Sequence, residues 1–132
     1  MVKENNYNEQ IGAMLRKHSL KICSCEYGTN GLIGSLLTKI KNSKSLYIGG
    51  MILNDNLFSN NFVEYIKNFK NKLNSDVIIG SFVEEKKCIC YIYIIDKLYT
   101  KTFELKTNDD SGIQSSIISL SYLYDTLKES DK

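Results

Sequence analysis

The sequence predicts an α/β domain of three layers, α/β/α, around a mixed sheet of about five strands. Three observations predict it. Short apolar runs suited to strands alternate with stretches whose apolar residues recur at helical spacing. The last three apolar runs follow one another across brief charged or turn-like breaks, which reads as an antiparallel meander. The 132 residues suffice for one domain, residues 1–132, with no repeat or linker to divide it.

Residues 1–6 are polar and expected to be loose. From Asn8 to about Lys17, Ile11, Met14 and Leu15 share one helical face, and His18 follows as a partner for the helix end. A strand is expected at about 20–26 and a helix at about 31–41, where Leu32, Ile33, Leu36, Leu37 and Ile40 align. Ser45 to Leu53 reads as a strand buried on both faces, its Gly49-Gly50 pair allowing close approach. Asn61, with Glu64 three residues on, reads as a helix start. Phe62, Val63, Ile66, Phe69 and Leu73 form that helix's inner face.

Three strands follow: Asp76–Val83, Cys88–Ile95 and Leu98–Leu105, the last with one wet face. Ser111 then caps a final helix lined by Ile113, Ile117, Leu120, Tyr124 and Leu127. The same helix carries Tyr122 and Leu123 as well, more apolar residues than one stripe needs. That excess suggests homo-oligomerisation through it.

With 17 basic and 15 acidic residues the net charge is +2. So weak a field argues against nucleic acid or an anionic membrane as partner. No run approaches the roughly 20 apolar residues of a membrane span, and residues 1–8 lack the apolar core of a signal peptide. The expected location is the cytoplasm, with thiols reduced. Cys23, Cys25, Cys88 and Cys90 form two C-x-C pairs. Structural zinc prefers two to four residues between its cysteines, so small buried side chains in strands are the expected reading, with no metal and no cofactor.

The stretch from Leu20 to Leu37 organises the chain. A strand gives way to Gly28-Thr29-Asn30-Gly31 and then to a helix start. Such a turn aims free backbone N–H groups, backed by the helix dipole, at one point where an anion can sit. Glu26, Gly28, Thr29, Asn30 and Gly31 are therefore the candidate ligand-binding residues. A tight strand-to-helix turn with no ligand explains the two glycines equally well.

Cys25-Glu26-Tyr27-Gly28-Thr29-Asn30-Gly31 resembles the motif Ala-Glu-Ser-Cys-Thr-Gly-Gly of the CinA C-terminal domain family, the PncC-type nicotinamide-nucleotide amidases. The ungapped resemblance runs from Glu9 to about Ser59 and includes Leu37-Thr38, Ser43 and Gly49-Gly50-Met51-Ile52. Beyond it, to about Leu127, the order of elements matches and the residues match weakly. The resemblance implies hydrolysis of the nicotinamide mononucleotide amide, an acyl transfer that needs a nucleophile, a base and oxyanion donors.

Carried over position by position, the family's serine nucleophile falls on Tyr27, its tyrosine on Asn54 and its lysine on Ser59. Glu26, Thr29, Gly31 and Asn56 remain as matches. The family's long Gly-Ile-Ala-Gly-Pro loop is replaced by the short Phe82–Lys87 turn, a basic residue before the last helix by Asp110, and the preceding nucleotide-processing domain is absent. Losing the nucleophile of a cooperating set costs on the order of 10^6-fold in one serine hydrolase, and a phenol is a poor nucleophile at neutral pH.

The resemblance therefore implies a divergent, stand-alone relative without amidase activity, kept for binding a small phosphorylated nucleotide or for assembly as a homo-oligomer. The alternative is an active amidase in which Ser24, Cys25 or Thr29 attacks, with Lys39 or Lys44 as base.

Overall fold

A computed structural model describes residues 2–55, 60–106 and 111–131. Five strands form one sheet: β1 (Ile22–Tyr27), β2 (Tyr47–Leu53), β3 (Val77–Glu84), β4 (Lys87–Ile94) and β5 (Lys97–Glu104). Four α-helices accompany it: α1 (Val2–Lys17), α2 (Leu32–Leu37), α3 (Phe62–Lys72) and α4 (Ser111–Asp131). The strand order is β2-β1-β3-β4-β5. β1, β2 and β3 run parallel, and β4 and β5 complete an antiparallel meander.

This topology divides the helices unequally. From β1 the chain steps outward through α2 to β2, then back across β1 through α3 to β3. Opposite steps with the same crossover hand put α2 and α3 on opposite faces. One core accordingly gathers Ile11, Leu15, Ile33, Leu37, Leu120, Leu123 and Leu127 from α1, α2 and α4 against Ile22, Val77, Ile79 and Ile92. Among the described residues the other face carries α3 alone, with Phe62 and Ile66 against Cys23, Cys25, Ile78 and Phe82. β1 lies inside the sheet between β2 and β3, wholly buried as far as Glu26.

Several elements differ from the sequence reading. α1 begins at Val2, not near Asn8; residues 2–7 contain neither glycine nor proline to stop a helix. α2 closes after Leu37, where Lys39 and Ile40 turn back onto the carbonyls of Leu36 and Leu37 in tighter i to i+3 bonds. A single 3-10 turn, Ser43–Ser45, precedes β2. Asn61 stands at the N-cap of α3 without a side-chain cap bond. Ser111 is the first helical residue of α4.

The largest correction concerns β2. It is an edge strand, with Ile48 and Ile52 exposed, and not a strand buried on both faces. Ile113 of α4 is exposed as well. The face of α4 that packs on the sheet is made of Ser115, Ser116, Ser119, Leu120, Leu123 and Leu127. Small serines let the helix approach β3 and β4 closely, while Ile117, Ile118, Tyr122 and Tyr124 stay partly exposed. Tyr122, half-buried, meets Phe103 of β5 edge-on.

Candidate functional site at the carboxyl end of the first strand

Glu26 and Tyr27 are consecutive on β1, so their side chains leave the sheet on opposite faces. Glu26 points under α2. Its carboxylate is 2 % exposed and accepts three hydrogen bonds. The Thr29 hydroxyl donates at 2.5 Å and the Ile33 N–H at 3.0 Å, both to Oε1; the Gly34 N–H donates at 2.9 Å to Oε2. Two of these donors are the unpaired N–H groups that the sequence offered to an external anion. The protein's own carboxylate fills that seat.

The turn between strand and helix is built to allow this. Gly28 and Gly31 have φ of 93° and 88°, a region costly for residues with a Cβ. Asn30 shares it at φ 55°, as asparagine does more readily than most. A Cβ on Gly28 would fall 2.6 Å from Cβ of Val83 on β3. The turn is thus pressed against the end of β3, and Gly112 of α4 closes over the Gly28 carbonyl. Of the five candidate ligand residues, Glu26 and Thr29 face each other inside, Gly28 and Gly31 are half-buried, and Asn30 is exposed.

Ser24, two residues before Glu26 on the same face, hydrogen-bonds the Tyr47 hydroxyl at 2.7 Å. Gly34 and Gly50 make room for this pair, since a Cβ on either would lie within about 2.5 Å of the Tyr47 oxygen. Burial raises the Tyr47 hydroxyl above the ordinary tyrosine range. The glycine pair of β2 therefore serves two ends: Gly50 accommodates hydroxyls, while Gly49 holds a φ of 155° that residues with a Cβ rarely adopt, in open space.

Tyr27 points to the other face. Its ring stacks on Phe82 with centroids 4.5 Å apart and planes 10° from parallel. Phe62 at the start of α3 meets Phe82 edge-on at 5.3 Å and lies 5.3 Å from Tyr91. Tyr27 is in register with Leu53 of β2, so Asn54 stands one residue beyond, exposed, at the same end of the sheet. Ser59, Asn56 and Asp110 lie outside the described residues.

The substitute nucleophiles are dispersed. Ser24 and Thr29 are buried on the α2 face, and Cys25 is buried on the α3 face. Burial pushes the Cys25 thiol up to about 12 and the Cys23 thiol up to about 11, which works against a thiolate. Lys39 and Lys44 follow the C-terminal end of α2, at the opposite end of the sheet, and are exposed. Cys88 and Cys90 face α4, where Ser119 lies 3.8 Å from Cys88 Sγ. The two C-x-C pairs therefore lie on opposite faces of the sheet. Among the described residues no group of three His, Cys, Asp or Glu side chains could hold a metal ion. No described helix is long and apolar enough to cross a membrane.

Sequence reasoning missed the aromatic stack. In the sequence Phe82 belongs to a strand end and the turn after it and Phe62 to a helix face, and nothing local pairs either with Tyr27. It missed Tyr47 as well, because the parallel register that sets β2 beside Ser24 is a long-range fact.

No protein-family model matches the sequence, and neither does any curated protein. Solved structures do match. The competence or damage-inducible protein of Enterobacter asburiae superposes with a TM-score of 0.79 at 14% identity, covering 94% of this chain and 98% of that one. A CinA superfamily protein of Klebsiella pneumoniae gives 0.79 at 10% identity, covering 96% and 98%. This chain has the CinA-superfamily fold. The competence/damage inducible protein CihA of Agrobacterium tumefaciens extends the likeness, with a TM-score of 0.69 at 9% identity and 96% of each chain covered. The likeness thus spans the elements from α1 to α4.

Proposed function

We propose that this CinA-fold chain is a binding or assembly protein without amidase activity. The observation that carries the reading is the stacking of Tyr27 on Phe82. The position to which the resemblance assigns the nucleophile holds a ring packed into an aromatic cluster. A phenol held this way presents no activated oxygen to an amide carbonyl. The burial of Ser24, Cys25 and Thr29 supports the same reading.

Binding, in this reading, concerns a small phosphorylated nucleotide at the outer surface of the 28–31 turn, where Asn30 is exposed. Glu26 and Thr29 support the turn from within and leave the ligand only donors that the carboxylate does not use. The test is a thermal-shift titration with nicotinamide mononucleotide, nicotinate mononucleotide and phosphate, with ammonia release followed in parallel. A ligand at 100 times its Kd stabilises the fold by about 2.7 kcal/mol. A shift without ammonia is expected for a nucleotide binder, and no shift for a pure assembly protein. Ammonia release abolished by Ser24→Ala, Cys25→Ala or Thr29→Ala overturns the proposal in favour of an active amidase.

A further inference from the structure

We infer that the cavity between α1 and the 40–45 turn binds the phosphate group of a small hydrophilic molecule of the sugar-phosphate class. The site lies at the opposite end of the sheet from the 28–31 turn and stands apart from the reading given for that turn. The net charge of +2 conceals an uneven distribution. From Gln10 to Leu53 the chain carries six basic residues, Arg16, Lys17, Lys21, Lys39, Lys41 and Lys44, against one acid. That acid, Glu26, is buried and spends its carboxylate on the strand-to-helix turn. Lys17 is answered by Asp131. Among the described residues no carboxylate pairs with Arg16, Lys39, Lys41 or Lys44.

An open cavity of about 500 Å³ lies in this basic surface, lined by Arg16, Ile40, Asn42, Ser43, Lys44 and Ser45. Arg16 is the one arginine among the 17 basic residues, and its guanidinium is held in place. Nη1 donates to the Lys41 carbonyl at 3.0 Å. The head lies against Gly12, where an added Cβ would stand 3.4 Å from Nη1 and 3.6 Å from Nη2. Tying α1 to the turn uses a single N–H of the guanidinium, which carries several. The others have no partner among the described residues, and a fixed planar fork fits two oxygens of one oxoanion. Lys44 in the same lining adds a second positive charge, which favours a phosphate dianion over a carboxylate. The Ser43 and Ser45 hydroxyls donate to the carbonyls of Thr38 and Asn42. The donors left for a ligand are Arg16, Lys44 and the Asn42 amide, which makes no cap bond. Ile40 is the one apolar residue of this lining and is buried. Nothing there packs against a base or an acyl chain, so the molecule that fits is hydrophilic.

Amide NMR titrations with inorganic phosphate, glucose 6-phosphate and acetate, at constant ionic strength, test this. Saturable shifts at residues 40–45 with both phosphates, and none with acetate, are expected. Arg16→Lys keeps the charge and loses the fork, and should weaken glucose 6-phosphate binding about tenfold. Lys44→Ala should weaken it as well. Both positions are exposed, and circular dichroism checks that each variant folds. Shifts that Arg16→Lys leaves unchanged, whether at 40–45 or at 28–31, overturn the site. Acetate bound as tightly as phosphate overturns the ligand class. An anionic vesicle or a single-stranded oligonucleotide that binds where neither phosphate does overturns the small ligand. No saturable shift with any probe overturns the inference outright.

Discussion

Two adjacent residues on β1 meet opposite requirements. Glu26 turns to the α2 face and ties the strand to the helix through one hydroxyl and two backbone N–H groups. Tyr27 turns to the α3 face and fills space beside Phe82. The resemblance keeps the first position and replaces the second. A residue that holds the turn together is needed by any chain with this fold, whatever it does. A residue needed only for chemistry can be replaced by one that packs, with no loss of stability to oppose the change. The two faces therefore separate what builds the scaffold from what a reaction would require.

The largest expected effect tests the packed face. Phe62 is 2 % exposed and touches both Phe82 and Tyr91. Phe62→Ala should cost about 4 kcal/mol in urea unfolding, through lost burial and the cavity left behind. The polar face should rank next. Glu26→Ala strands two backbone donors and the Thr29 hydroxyl, at about 3 kcal/mol, and Glu26→Gln should recover part of that because one acceptor oxygen remains. If Glu26→Ala unfolds at the native urea midpoint, the carboxylate does not hold the turn and the contrast between the faces fails.

Tyr27→Ser restores the hydroxyl the resemblance expects and should cost about 2 kcal/mol, the stacked pair together with the burial of a half-covered ring. Ammonia release from nicotinamide mononucleotide should stay at background in this variant, since Asn54 supplies no base. Activity on serine alone would show that the rest of the site survives.

The smallest effect is confined to alkaline pH. Burial holds the Cys23 and Cys25 thiols on the α3 face at about 11 and about 12, against 9.0 for a free thiol. The unfolded chain gives up these protons first. Their contribution is therefore full below pH 9 and is lost as pH climbs toward 11–12. A urea midpoint that falls above pH 9, and falls less in Cys25→Ala, is expected.

Much of this fold was legible because period and length speak locally. The apolar spacing of Ile11, Leu15, Ile66 and Leu127 marked helices, and the short runs ending near Glu26 and at Val83 marked strands. The position of β2 was not legible, since a continuous apolar run looks the same at an edge as in the middle of a sheet. Ile113 misled for a related reason: helical spacing identifies a face but not where the helix runs past its neighbour. At the site, the glycine turn and the retained Glu26 were visible. The carboxylate's destination was not, because a cap that reaches forward seven and eight residues from a strand has no local signature.

The C-terminal ends of α1 and α4 are clasped together, with Asp131 bridging Lys17 and His18. The start of α4 instead covers the Gly28 carbonyl. At 1.5 Å per residue the 21 residues of α4 separate those two places by about 30 Å. A dye or surface tether joined beyond Asp131 therefore hangs at the end of the molecule remote from the 28–31 turn. Immobilised that way, the protein presents the turn to the solution, and a fluorophore there reports on unfolding without standing in the path of a ligand of the turn.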